Sequence, residues 1–455
     1  MLNTSQYRRL AVAYSLHYHI FKLQNLQIHY LRSLMKILLR QATIIDPSSP
    51  FHLQKADILI ANGVFQQIDT VISTDADHTV NMTGAYLSPG WVETFTNACD
   101  PGFEYKETIE SAALAAANGG YTDVMVLPNT TPAVHTKAGV EYLVQKGKFL
   151  PVTIHPIAAV TKNTDGKELA EMYDMASSGA VAFSDGTKSI QDAGLLLKAL
   201  QYVKAINKTI IQLPDDKSIN PHGLMNEGIV STQLGLPGKP AIAEELQITR
   251  DIELVKYTGS KLHFTGVSTQ KSIELIRKAK ADGLPVTCSV TPYHLCFTDE
   301  DLKEYDTNLK VNPPLRTAAD RKALQEALLD GTIDCIAAHH LPEDIDHKIT
   351  EFEYARYGMI SLQTAFAVVY KTLPQLTPEK LVSLFALQPR NIFGLDQASI
   401  QIGQPAQCSL FSLDQQWVFE KENNHSKSTN SPFFGTSFGA KPIGIINKGN
   451  LLLNN

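Results

Sequence analysis

The pattern of apolar and polar positions changes character twice along the chain. From residue 36 to about 87, apolar residues come in short runs broken by turns. Ala42-Thr43-Ile44-Ile45 stops at Asp46-Pro47, and Ala56-Asp57-Ile58-Leu59-Ile60 leads into Asn62-Gly63, a turn pair that accepts positive φ and closes hairpins. Beyond about residue 400 the same style returns, with β-type runs at 406–411 and 441–447 and Gly449 in a turn. Between these ends, apolar strand candidates alternate with helix-like segments. The strand candidates cover 87–95, 121–128, 152–160, 180–185, 209–214, 261–267, 286–291 and 334–339. Most are unbroken Val- and Ile-rich runs, the signature of strands buried on both faces. Helix-like segments at 104–118, 166–178, 190–206, 242–257, 269–282 and 317–329 separate them, and Gly119-Gly120 stops the first.

Eight β–α alternations over roughly 300 residues predict the α/β class and a closed (β/α)8 TIM-type barrel. A doubly wound sheet is the alternative. It is disfavoured because no glycine-rich phosphate loop follows the first strand. The barrel is expected over residues 89–395. The two β-rich ends, 35–88 and 396–455, are expected to build one small composite β-sandwich, which chain ends lying close together permit. In such a barrel the functional side chains stand where the strands end.

Composition narrows the function classes. A net charge of −6 over 455 residues argues against nucleic-acid and anionic-membrane partners. No apolar run reaches the roughly 18 residues of a membrane span. The cysteines (Cys99, Cys288, Cys296, Cys335 and Cys408) are scattered, with no zinc-type spacing, so reduced thiols in a cytoplasmic protein are expected. Residues 1–34 hold no Asp or Glu but carry Arg8, Arg9, Lys22 and Arg32. Three readings stand for them: a start assigned upstream of Met35, a genuine extension, or an acid-poor targeting presequence.

Many strings resemble the dihydroorotase family, whose members interconvert carbamoyl aspartate and dihydroorotate. They include Pro101-Gly102-Phe103-Glu104-Tyr105-Lys106-Glu107, Leu127-Pro128-Asn129-Thr130, Ala182-Phe183-Ser184-Asp185, Met225-Asn226-Glu227-Gly228, Val267-Ser268-Thr269, Val311-Asn312-Pro313-Pro314-Leu315-Arg316 and Ser426-Lys427-Ser428. They follow the family's order from about residue 36 to the end. The resemblance implies an amidohydrolase barrel with two zinc ions and a flanking β-sandwich. Zinc would lower the pKa of a bound water towards about 7, and an aspartate after the last strand would move a proton.

The residues at those positions depart from the family. Its His-x-His after the first strand reads Phe95 and Asn97, and the Arg that follows reads Cys99. Its strand-five histidine reads Leu213, its strand-six histidine reads Gly266, and the catalytic Asp reads His339. A histidine that helps hold the substrate carboxylate reads Glu343. One member of the strand-four Asp pair survives as Asp185. Phenylalanine, leucine and glycine side chains offer no lone pair to zinc. No metal or other cofactor is therefore expected.

Other side chains carry a sharp and a bland reading. His339-His340 could bind metal anew. Neighbouring strand-end residues point apart, so one histidine lining the old pocket and one in the core are favoured. Cys99 could be a nucleophile, but no base is visible beside it, so an inert thiol is favoured. His263 and His294 read as structural, and Asp215-Asp216 as a solvated or capping pair. Asn129 and Asn312 match substrate-contacting positions of the family, and could equally anchor a residual pocket or hold loops.

Three functions follow. The first is a non-catalytic scaffold or regulatory homologue. The resemblance implies aspartate transcarbamoylase or an active dihydroorotase paralogue as its partner, and a homo-oligomer. The second is a dihydroorotase or related cyclic amidase with a rebuilt centre, such as a mononuclear one, around His339, Asp185 and Asn97. The third is a small-molecule binding protein that uses the old pocket.

Overall fold

The computed structural model describes residues 35–454, so the three readings of residues 1–34 lie outside the described residues. Eight parallel strands form the barrel wall in chain order: Trp91–Thr96, Tyr121–Val126, Thr153–Ala158, Ala182–Phe183, Thr209–Gln212, Leu262–Phe264, Val286–Val290 and Cys335–Ile336. Helices cover the outside, each buried on one face. The barrel closes where Thr96 bridges His340 in parallel register and the Asn97 N–H donates to the His340 carbonyl at 2.9 Å. Next to that bridge the Ala338 N–H donates to the carboxylate of Glu93, at 2.9 Å to its nearer oxygen.

The terminal segments share one eight-stranded sheet. Lys36–Ile44 lies at its middle, and Cys408–Ser412, Lys441–Asn447 and Asn450–Leu453 extend it from the other end of the chain. Its core is Ile37, Leu39, Ile58, Ile60, Phe65, Leu87, Leu410 and Ile446, with their neighbours. Alternation in Lys36–Ile44 and Lys55–Ala61 sends these side chains to one face.

The strand expected over 87–95 is two strands serving two sheets. Tyr86–Pro89 pairs antiparallel with Cys408–Ser412, while Trp91–Thr96 opens the barrel. Gly90 is the joint. A Cβ there would lie 2.0 Å from the Thr122 Oγ1, so only glycine lets the chain pass so close to the second strand. The helix expected from residue 104 begins at Ile109, where Thr108 and Ser111 form a capping box.

A buried polar knot holds the sheet against the bottom of the barrel. Asp123, at the start of the second strand, accepts from Arg390 Nη2 at 2.5 Å, His155 Nε2 at 2.8 Å and Gln407 Nε2 at 2.7 Å. Burial pushes this carboxyl up, but the His155 hydrogen bond and the Arg390 charge outweigh it and hold the group below the ordinary aspartate range. The remaining Arg390 donors go to the carbonyls of Gly90 and Asp396. Among the described residues no helix is long and apolar enough to cross a membrane.

Candidate functional site at the barrel mouth

The barrel's interior ends in a plug. The Phe95 ring stacks on the His339 imidazole, centroids 4.2 Å apart at 27°. Both side chains are buried. The His339 Nε2 meets the Thr265 Oγ1 at 2.7 Å, and the Ser289 hydroxyl donates to that same oxygen at 3.0 Å. The Thr265 hydroxyl proton is then left for Nε2, which puts the His339 proton on Nδ1. The Nδ1 has no partner. Burial drives this imidazole well below the ordinary histidine range, and His294 and His263 push it the same way. It is a neutral ring stacked on a hydrocarbon one.

Leu213 and Gly266 complete the plug. A Cβ at Gly266 would lie 2.6 Å from the His339 Cε1 and 3.3 Å from the Leu213 Cδ1, and Gly266 has φ +68°. The imidazole thus occupies the space that a side chain at 266 would need. Four positions that the resemblance assigns to metal ligands or the catalytic acid therefore meet in van der Waals contact, without a converging donor set. These residues do not fit a zinc pair.

The other expected site residues are spent on structure. Asp185 turns to the preceding loop, accepting from the Thr161 N–H at 2.9 Å and the Thr161 hydroxyl at 2.5 Å. Burial raises its pKa against those two bonds. Asn129 donates to the Asp185 carbonyl and accepts from the Thr187 N–H, both at 3.0 Å. It thereby holds a loop, and it borders a separate cavity with Phe103 and Lys188. His263 bonds Ser289 and Thr287, and His294 bonds Thr291 and the Pro313 carbonyl.

His340 points away from His339, with Nε2 3.2 Å from Glu107 and Nδ1 accepting from the Ser361 N–H. Neither histidine lines the cavity at the barrel mouth, contrary to expectation: the stacked Phe95 seals His339 under the floor. Cys99 is buried and its thiol is pushed far up by burial, the state of an inert cysteine. Asp215 is not a solvated or capping group. It is buried and paired with Lys239 at 2.6 Å, and only Asp216 caps a turn, at Ser218. Among the described residues, one His/Cys/Asp/Glu triple has converging donor atoms: Glu343, Asp344 and His347, in the loop after the eighth strand. Lys106 and the Asp344–His347 pair already engage it.

Above the plug lies a cavity of about 580 Å³ lined by Asn97, Asn312, Lys239, Lys310, Arg356 and Glu343, among others. Lys239 sits between Asp215 and the Asn312 Oδ1, 2.7 Å from the latter. The Lys310 ammonium donates to the carbonyls of Phe352 and Glu353, and burial lowers its pKa to about 8. Glu343 stands 2.8 Å from the Lys106 ammonium and 4.0 Å from Arg356. Sequence reasoning missed Lys239, which ends the two-residue strand Gly238–Lys239, and Lys310 and Arg356, which sit in loops; none has a spacing signal. It also missed Glu93, although a lone acid in the apolar run Trp91–Thr96 was a readable signal.

An α/β barrel with its site at the strand ends, flanked by a sheet from both termini, is the amidohydrolase architecture. Solved structures agree: the L-hydantoinase of Arthrobacter aurescens superposes with TM-score 0.81 at 23% identity, covering 92% of this chain and 96% of that one. A dihydropyrimidinase from Brevibacillus agri gives 0.78 at 19%, covering 92% and 95%. Residues 84–272 match the dihydro-orotase-like family. The chain is 38% identical to the dihydroorotase of Pelotomaculum thermopropionicum over 422 residues, 92% of this chain and 99% of that protein. It is 37% identical to that of Syntrophus aciditrophicus over 423 residues, again 92% and 99%. The chain belongs to the dihydroorotase family.

Two outcomes are expected at this site. Burial raises the Glu93 pKa from 4.5 to about 7, against three backbone N–H bonds that favour the charged form. The folded state therefore holds this proton more tightly than the unfolded one. The resulting stabilisation is complete below about pH 4.5 and is lost as pH rises through about 7, a change of about 3 kcal/mol. Urea titrations of wild type and Glu93→Gln at pH 5 and 8.5 measure it: the wild type should lose more stability between the two pH values than the variant does. Second, Gly266→Ala should cost about 1–3 kcal/mol in the wild type and clearly less beside His339→Ala. Additive costs in that double-mutant cycle would mean the two positions do not compete for space.

Proposed function

We propose that this dihydroorotase-family protein has lost the zinc centre and the catalytic aspartate, and acts as a non-catalytic scaffold or regulator. One observation carries the reading: the Phe95–His339 stack, wedged against Gly266 and Leu213, fills the floor where the family's ligands would converge. A carboxylate and histidines left there without metal would be unpaired and buried, which is costly. Apolar contacts and a neutral imidazole remove that cost, so the barrel is expected to be stable without metal.

The names of the relatives favour the rival reading, an active cyclic amidase with a rebuilt centre around His339, Asp185 and Asn97. Against it, each of those groups is committed elsewhere: His339 to Thr265, Asp185 to Thr161 and Asn97 to the Cys99 N–H. A scaffold in the cytoplasm needs a partner. Aspartate transcarbamoylase and an active dihydroorotase paralogue are the two proposed, with this chain as a homo-oligomer.

Zinc analysis and dihydroorotate hydrolysis on zinc-supplemented protein provide the test. The expected outcome is far less than one zinc per chain and no turnover above buffer. A chelator should move the melting temperature by less than about 1 °C, because a ligand that does not bind the native state cannot stabilise it. Stoichiometric zinc with hydrolysis would sink the proposal. Co-elution with either purified partner checks the scaffold role.

A further inference from the structure

A second cavity, of about 440 Å³, lies at the opposite end of the barrel from the mouth, between the strand starts and the terminal sheet. His155, Arg390 and Gln407 of the polar knot line it. So do the tips of two hairpins, Asn62-Gly63 and Lys448-Gly449, which meet there: a Cβ on Gly63 would lie 3.4 Å from the Gly449 Cα. Small-molecule sites favour such clefts where two structural units face each other.

Three of its polar groups are fixed as acceptors and have nothing to accept. Asn447 spends its N–H2 group on the carbonyls of Thr122 and Pro151, both at 3.0 Å. A flip would set oxygen against oxygen, so Oδ1 stays an acceptor. The residue is buried, and Oδ1 is met only from the cavity. Gln407 gives its N–H2 to the Asp123 carboxylate at 2.7 Å, which fixes Oε1 in the same way. The His155 Nε2 donates to that carboxylate at 2.8 Å, so the neutral ring keeps a lone pair at Nδ1. Among the described residues no group donates to any of these three atoms.

The cationic donors are in the opposite state. The Lys448 ammonium has three N–H bonds and gives them to the carbonyls of Gly147, Leu150 and Val152. Arg390 is buried and paired with Asp123. An anion would find no free ammonium there, and the exposed Asp396 carboxylate, in no ion pair among the described residues, would repel it. Asp123 and Asp396 balance Arg390 and Lys448, so the lining has no net charge while His155 is neutral. Leu395, Pro405 and Ala406 supply apolar wall. Fixed acceptors, a balanced charge and apolar wall suit a neutral molecule with several O–H groups.

We propose that this interlayer cavity binds neutral polyhydroxyl molecules of sugar size, whose hydroxyls donate to the His155 Nδ1, the Gln407 Oε1 and the Asn447 Oδ1. The site is separate from the barrel mouth and does not depend on whether the mouth holds zinc. A ligand there contacts barrel and sheet at once, so its binding holds the two layers together and stabilises the fold.

Nuclear magnetic resonance on protein with isotope-labelled histidine tests it with two probes, ribose and its oxidised anion ribonate. The titrations are run at about pH 8, above the ordinary histidine range. Ribose should shift the His155 Nδ1 resonance as that atom accepts a hydrogen bond, with a Kd in about the millimolar range, and should raise the melting temperature. Ribonate should bind at least about tenfold more weakly. Gln407→Leu removes one acceptor and should weaken ribose about three- to tenfold. The Thr153 side chain lines the cavity and makes no hydrogen bond, so Thr153→Leu should fold, fill the space and abolish the shift. That variant decides the matter if the Gln407 variant does not fold. No shift at about 100 mM ribose, equal affinity for ribonate, or a shift that survives Thr153→Leu overturns the proposal.

Discussion

The seam between the first and eighth strands is the constraint on which the molecule depends. A barrel has no free edge only if its last strand pairs with its first. Here the eighth strand is short, Cys335–Ile336, and the closing contacts are the Thr96–His340 bridge and the bond from Asn97 to the His340 carbonyl. Glu93 completes the closure with a side chain in place of a ladder bond, taking the Ala338 N–H. Phe95 sits on the first strand and His339 just past the end of the eighth, so their ring stack adds apolar contact at the point of closure. Positions that the resemblance assigns to metal ligands and to the catalytic aspartate thus help to shut the barrel.

The family strings that survive are largely those that brace loops around the mouth. Glu244 accepts from the backbone of Ser268 and Thr269, at the end of the string that follows Gly266. Arg316, fully buried, donates to Ser268, Asn226 and the Lys239 carbonyl, tying three mouth loops together. Asn226 reaches on to Asp299 at 2.8 Å. Glu107 gathers the N–H of Lys427 and the hydroxyls of Ser111 and Ser426, bringing the C-terminal segment over the first loop. These braces bond to one another and to backbone, so they hold the rim independently of what stands at the floor.

Much of this was legible in the sequence, for physical reasons that differ by element. Strands buried on both faces read directly as Val- and Ile-rich runs, so the eight-fold alternation was plain. The break at Gly90 was not, because apolar character continues unbroken from Leu87 to Phe95 while the chain changes sheets. At the site, residue identity alone showed that Phe95, Leu213 and Gly266 have no lone pairs. It could not show that Asp185 faces Thr161, since strand position fixes where a side chain starts but not which donor claims it. Nor could it separate the two roles of Asn129 and Asn312. One holds a loop and the other also faces the cavity, a difference set by tertiary neighbours. Asp215 was misread because its partner, Lys239, is 24 residues away and comes close only in the folded chain.

The mutual exclusion of a side chain at 266 and the ring of His339 couples the two positions. A histidine placed at 266 would collide with the imidazole, and an aspartate placed at 339 would be a buried charge beside the Phe95 ring. Either change made alone is therefore expected to give a less stable protein. The order of change matters, because a shorter side chain at 339 would open the space that one at 266 needs. The plug works as an interlock, in which one position must give way before the other can fill.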